Sequence, residues 1–303
     1  MSSSKNHPTS AAASVRVVVR TLAAHRVTTT RLAVVPGGHG GINLRAEGPA
    51  GPLAIKLRDD PRPLAVVRSV SALLAGRGIP HPEVVVPPTL TQAGWLTALR
   101  WIPGEALVDA TLRLWSEADA ARLGADLGSW LSQLHGVRPP HQPWLPRAER
   151  RYEEKLHRCV DRHLIDVDLA AAVARFWNAL RPALADAPVS LIHRDLQPGN
   201  IVVHRRALAG VIDFDQARLA DPLYDLVKLK EWVFPWHPAI EPALVGSYGL
   251  DDGDPRVRSR LAAVSVLEFL SALVYFDRQA DPAMVVDQRA RLRDLVTAAE
   301  GAR

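Results

Sequence analysis

The chain has 303 residues, enough to bury a large core in two domains, and its 48% hydrophobic and 23% charged residues are those of a soluble globular protein. Its net charge of +5 comes from arginines spread along the chain, with no basic-aromatic stripe, which argues against nucleic acid as a partner. One cysteine, Cys159, excludes an internal disulfide framework and fits a cytosolic protein, and the eleven histidines show no zinc-type spacing.

Residues 1–12, rich in Ser and Ala without an apolar segment, read as a disordered N-terminus and not as a signal peptide. Residues 30–60 alternate short β-like runs with the cluster Gly37-Gly38-His39-Gly40-Gly41. Glycines let backbone N–H groups approach phosphate oxygens, so Gly38, Gly40 and Gly41 are candidate nucleotide-binding residues. The cluster misses the GxGxxG pattern, because Asn43 occupies the third glycine position, and a plain hairpin turn is the alternative. Just downstream, residues 53–57 form an apolar, strand-like run around Lys56, one of five lysines in the chain. A lysine in such a run needs an anionic partner; the alternative is an edge-strand lysine facing solvent. A helix is expected over residues 63–77 and strands over 83–86 and 95–101, ending at Trp101-Ile102-Pro103-Gly104.

From residue 107 the pattern turns helical. Leu123, Leu127, Trp130, Leu131 and Leu134 recur near a 3.6-residue period, with His135 in the last turn and Gly136 as the stop. His193-Arg194-Asp195-Leu196-Gln197-Pro198-Gly199-Asn200 follows, then the short apolar runs 201–203 and 208–212, then Asp213-Phe214-Asp215. Two short runs bounded by turn residues predict a hairpin that brings the Asn and the acids together. The spacings are similar to those of kinase-fold phosphotransferases, in which the first Asp deprotonates the attacking hydroxyl and the Asn and second Asp hold metal ions. That makes Asp195 the candidate base and Asn200 and Asp213 the candidate metal ligands. Further helices are expected over 222–234, 238–248 and 255–276; residues 261–276 read as a buried helix, too short and too polar at Glu268 to span a bilayer.

Ala220-Asp221-Pro222-Leu223-Tyr224-Asp225-Leu226 begins a few residues after Phe214, and no Ala-Pro-Glu tripeptide occurs, so there is no room for a protein-kinase activation segment. The chain instead resembles the aminoglycoside phosphotransferase family, which shows His-x-Asp-Leu-x-x-x-Asn, then Ile-Asp-Phe/Trp, then Gly-Asp-Pro-x-x-Asp-Leu. Trp101-Ile102-Pro103-Gly104-Glu105 and Leu134-His135 carry weaker likeness. The resemblance implies an α+β, bilobal protein-kinase-like fold, with a small antiparallel-sheet N-lobe over 13–101 and a larger, mainly helical C-lobe over 102–303. It further implies ATP or GTP with Mg²⁺ as cofactors, Lys56 on the α- and β-phosphates, and adenine against backbone groups of Arg100, Trp101 and Ile102.

Three departures stand out: Arg194 and Ala220 replace glycines, and the helix of residues 63–77 lacks the glutamate that usually holds the lysine, with Val67 near its place. Asp221 before Pro222 reads mainly as a helix cap, His135 as a helix-end residue packing on the catalytic loop, and His193 as a support for that loop. A cationic acceptor would want an acidic cleft, for which Glu231, Asp251, Asp252, Asp254, Glu268 and Asp277 are candidates, with Trp232, Trp236 and Tyr248 as stacking surfaces. The expected partner is a small-molecule hydroxyl acceptor, without nucleic acid or membrane, for a cytoplasmic monomer or homodimer. A kinase for a choline, amino-alcohol or sugar acceptor and a nucleotide-binding regulator are the alternatives.

Overall fold

The computed structural model describes residues 11–35, 41–138 and 143–300. Gly38 and Gly40, and residues 1–10 of the expected disordered segment, lie outside the described residues. The chain forms two compact units: residues up to 107 together with 199–217, and residues 108–198 together with those from 218 onward. The sequence assigned all of 102–303 to the second lobe; by its contacts, 199–217 packs with the first unit.

The first unit opens with α1 (Ala11–Ala24), β1 (Arg31–Val34), β2 (Gly41–Glu47), β3 (Leu53–Arg58), α2 (Pro61–Leu74), β4 (Val84–Thr91) and β5 (Gly94–Arg100). The strands form one antiparallel sheet in the order β1-β2-β3-β5-β4. Side chains alternate along a strand. Leu53, Ile55 and Leu57 therefore share one face, where they pack with Leu44, Ala46, Leu96, Ala98 and with Val18 and Leu22 of α1. Lys56 and Arg58 point to the opposite face of the central strand, which removes the edge-strand alternative for Lys56. β4 takes the edge, where Pro87 and Pro88 interrupt no interior ladder and its pairing with β5 is irregular. Asp60 caps α2 by accepting from the Arg62 N–H at 2.9 Å, and Pro61 sits in the first turn, so the helix starts before residue 63.

β6 (Glu105–Ala106) follows, and the later hairpin of β8 (Ile201–His204) and β9 (Ala207–Val211) pairs with it in a three-stranded antiparallel sheet. Gly104 permits this approach: with φ 137°, it would carry any Cβ to 2.5 Å from the Val203 carbonyl oxygen.

The second unit contains a short α3 (Asp109–Leu112), α4 (Glu117–His135), α5 (Leu145–Asp161), α6 (Val167–Leu180) and the strand β7 (Ser190–Ile192). After the hairpin the chain returns as β10 (Arg218–Ala220), antiparallel to β7, then α7 (Leu223–Trp232), α8 (Ile240–Tyr248), α9 (Pro255–Arg278) and α10 (Pro282–Glu300). Gly124 and Gly128, one turn apart on α4, let α8 lie close: Cβ atoms there would stand 2.4 Å from the Ile240 oxygen and 2.6 Å from the Leu244 oxygen. α9 is long and apolar enough to cross a bilayer by length and composition. Here it is the core helix, packed by α5, α6, α7 and α10, with Val264, Leu267, Leu270 and Leu273 fully buried.

Candidate active site

In the first unit, the β8–β9 hairpin does what its sequence predicted. Ile201 pairs with Val211, and the Ile212 N–H donates to the Asn200 carbonyl at 2.9 Å, so Asn200 and Asp213 stand at the same end of the hairpin. Asp213 adopts a left-handed φ of 69°, turning the chain out of β9 into a short 3-10 turn, Phe214–Gln216. The Lys56 ammonium reaches across to this turn. It donates to Asp213 Oδ1 at 2.6 Å and to Asp215 Oδ1 at 2.5 Å.

Asp215 therefore occupies the role left open by the missing helix glutamate, while Val67 of α2 is simply buried core. Its second carboxylate oxygen lies 4.0 Å from Arg58 Nη2, and Arg58 donates to Asn43 Oδ1 at 2.8 Å and to the Ile42 carbonyl at 3.2 Å. Asn43 is the register partner of Lys56 on β2, so the residue that broke the glycine pattern orders the arginine beside the site. Burial raises the Asp215 pKa; Lys56 opposes that shift and Asp213 adds to it. Sequence reasoning missed Asp215 and Arg58. The available signal was the second acid two positions after Asp213.

Gly41 opens β2 opposite Arg58, where an added Cβ would stand 2.2 Å from the Leu57 oxygen. Of the expected base-binding backbone, the Arg100 N–H donates to Glu83 at 2.8 Å and the Trp101 N–H to Pro52 at 3.1 Å, so these two donors serve the fold. The Trp101 ring carries the Arg45 guanidinium 4.6 Å from its centroid, and Ile102 packs where a Cβ on Gly210 would meet it at 2.8 Å.

In the second unit, the segment 193–195 leaves β7 under tight control from Asp225 of α7. This fully buried carboxylate accepts from the His193 N–H at 2.8 Å, the Arg194 N–H at 2.5 Å and His135 Nε2 at 3.1 Å. His135 Nδ1 in turn meets the Tyr248 hydroxyl at 2.8 Å, so His135 does link α4 to this segment. The buried His193 ring accepts the Asp195 N–H at 3.2 Å and stands edge-on to Trp130. Arg194 has φ 70°, a left-handed conformation that a glycine adopts without penalty, which explains the residue usual at this place. Asp221 caps α7 through the Leu223 N–H at 2.9 Å and also grips Arg260, at 2.9 and 2.7 Å, a pairing with no sequence signal.

The acids considered for a cationic acceptor are largely engaged. Glu268 pairs with Lys228 at 2.7 Å, Asp277 with Arg162, Asp254 caps α9 and Asp251 accepts from Gly253. Burial pushes the Glu231 pKa up to about 7, so it carries only part of a charge at neutrality.

The phosphotransferase enzyme family model matches residues 35–262, most of the chain, a span that includes Lys56, Asp195, Asn200 and Asp213. The chain belongs to that family. An aminoglycoside 3'-phosphotransferase of Escherichia coli is 31% identical over 81 residues, covering 26% of this chain and 30% of that enzyme. The likeness to solved structures extends further. A thermostable mutant of aminoglycoside phosphotransferase APH(4)-Ia superposes with a TM-score of 0.72 at 16% identity, over 93% of this chain and 99% of that one. The GDP and kanamycin complex of APH(2")-IIia gives 0.71 at 17% identity, over 94% and 98%. The family shows this chain to be a phosphotransferase, and the superpositions show the kinase-like fold, with its antiparallel sheet and helical second part.

Proposed function

We propose that this chain moves the γ-phosphoryl group of ATP or GTP, with Mg²⁺, to a hydroxyl of a small molecule. The observation that carries this is Lys56, an ammonium on a central strand held between Asp213 and Asp215 at the end of the hairpin that bears Asn200. Phosphoryl transfer asks for positioning and charge neutralisation more than covalent chemistry, and these residues supply both. Lys56 carries positive charge for the phosphates. Asp213 and Asn200 offer oxygen donors only, one of them anionic, which suits a hard cation that keeps waters and phosphate oxygens in its shell. Magnesium, when bound there, neutralises charge on the phosphates.

Asp195 is the residue to accept the proton of the attacking hydroxyl. Its backbone is fixed by His193, and the preceding two N–H groups by Asp225. The solved structures of this fold include one of APH(4)-Ia with AMP-PNP and hygromycin B and one of APH(2")-IIia with GDP and kanamycin, which supports a nucleotide donor and a small acceptor here. The test is ADP or GDP release with Mg²⁺ across a panel of hydroxylated acceptors. A regulator would be stabilised by nucleotide yet release no diphosphate with any acceptor; an enzyme would release it with one class.

A further inference from the structure

The second unit holds a polar cluster that the phosphoryl-transfer machinery does not use. On α9, Glu268 and Ser271 lie three residues apart on one face. Glu268 receives Lys228 of α7 at 2.7 Å, and the Ser271 hydroxyl receives Arg151 Nη2 of α5 at 2.8 Å. Tyr224 sits one helical turn before Lys228 on α7 and is buried, and its hydroxyl has no hydrogen-bond partner among the described residues; neither has Arg151 Nε. Arg218 stands opposite Ile192 in the β7–β10 pair, beside the strand end that runs directly into His193 and Arg194. Among the described residues Arg218 makes no salt bridge.

Guanidinium groups that are half-buried, as Arg151 and Arg218 are, need a counter-charge. The nearby carboxylate, Glu268, gives Oε1 to Lys228 and leaves Oε2 without a hydrogen-bond partner among the described residues, and its one charge is shared among Lys228, Arg151, Arg194 and Arg218. Burial, with the neighbouring charges of Arg194 and Arg151, pulls the Arg218 pKa down to about 9, which Tyr224 and Glu268 only partly offset, so the group is still charged at neutrality. The cluster also adjoins the reacting end of the unit: Asp225, next to Tyr224, holds the Arg194 N–H, and both Lys228 and Tyr275 feel the Asp195 carboxylate.

We propose that Arg151, Arg218 and the Tyr224 hydroxyl seat an anionic group, a carboxylate or a phosphate, carried by the phosphate acceptor, which makes the acceptor a hydroxylated acid and not a polyamine. This rests on the reading of the chain as a phosphotransferase with Asp195 as its base. In the reaction the acceptor hydroxyl gives its proton to Asp195, its oxygen bonds the γ-phosphorus, and the bond from that phosphorus to the β–γ bridging oxygen breaks to leave the nucleoside diphosphate. The seated anion is unchanged and fixes which hydroxyl is presented.

The test uses the full chain, with inorganic phosphate and acetate as probes of the seat. Polyol acceptors of one scaffold, bearing an amine, no charge, a carboxylate or a phosphate, are then scored by diphosphate release. Phosphate should raise the melting temperature saturably, and Arg218→Met or Arg151→Gln should weaken that response by about tenfold or more, the loss expected for one charged contact. The anionic acceptors should exceed the amine in kcat/KM by about tenfold, an advantage lost in the variants while affinity for Mg·ADP stays at the parent value. Whichever anionic arm wins identifies the group. Absence of a saturable phosphate response, a response unaltered in both variants, or preference for the amine overturns the proposal. If Arg218→Met fails to fold, Arg151→Gln decides. No diphosphate from any acceptor, with phosphate and nucleotide still bound, refutes the kinase reading and the acceptor assignment together, whereas loss of phosphate binding alone refutes only the seat.

Discussion

Asp215→Asn separates the two carboxylates that hold Lys56. In the parent the ammonium lies 2.6 Å from Asp213 and 2.5 Å from Asp215, whose side chains are 38% and 15% exposed. The more open Asp213 is the proposed metal ligand, and the deeper Asp215 holds the lysine. With position 215 neutral, Lys56 keeps a single charged partner and competes with the metal for it. A charge-assisted hydrogen bond is worth about 1.5–3 kcal/mol, so Mg-dependent nucleotide affinity should fall roughly ten- to a hundredfold.

Stability should move the other way. The folded-state pKa of Asp215 is raised, burial outweighing the attraction of Lys56. An acid raised in the folded state contributes stability below its unfolded pKa and loses it as pH climbs through the folded value. At pH 8 the charged carboxylate thus costs stability, and the Asn variant should melt at or above the parent temperature, an advantage that fades towards pH 4. Titration calorimetry with Mg·nucleotide and scanning calorimetry at both pH values read the two effects separately. Parent-like nucleotide affinity in the variant would refute Asp215 as the residue that holds Lys56.

Asp195→Asn should lower kcat by roughly 10²–10⁴, the usual contribution of a general base, with nucleotide affinity by calorimetry unchanged. Asp213→Ala should remove the dependence of nucleotide binding on Mg²⁺ without lowering the helical content seen by circular dichroism; binding that still responds to Mg²⁺ would move the metal elsewhere. Asp221→Ala strands Arg260, whose side chain is 15% exposed, and should cost about 3–5 kcal/mol, as breaking a buried ion pair does. Denaturant melts read that loss, the double variant with Arg260→Met should recover part of it, and nucleotide affinity should not follow. Glu231→Gln should stabilise the chain at pH 8 by at most about 3 kcal/mol and not at pH 4, because a folded pKa of about 7 forfeits stability as pH rises through 7; a flat difference across pH would contradict it.

Much of the site could be read from the sequence because its geometry is local. The hairpin from Asn200 to Asp213 is encoded by two short apolar runs and their turns, and the Asp221-Pro222 pair announces a helix start through its own backbone chemistry. The apolar run around Lys56 likewise shows that this lysine needs an anion. What it cannot show is which one. Asp215 is 159 positions away, no periodicity links the two, and a search for a glutamate on α2 looked along the wrong element. α1 escaped notice for a different reason: its Val-rich stretch, residues 15–19, has the β-branched composition of a strand, and the packing of Val18 and Leu22 on the sheet overrides that preference.

Arg194 marks where local and long-range constraints meet. Its left-handed φ is fixed by Asp225, which holds the N–H groups of residues 193 and 194. A glycine would meet that backbone demand without strain. Keeping an arginine there adds a third guanidinium beside Arg151 and Arg218, and the backbone gains nothing from it. Its side chain answers a separate constraint: burial and Arg151 disfavour the charge, and Glu268, Tyr224 and Asp195 favour it.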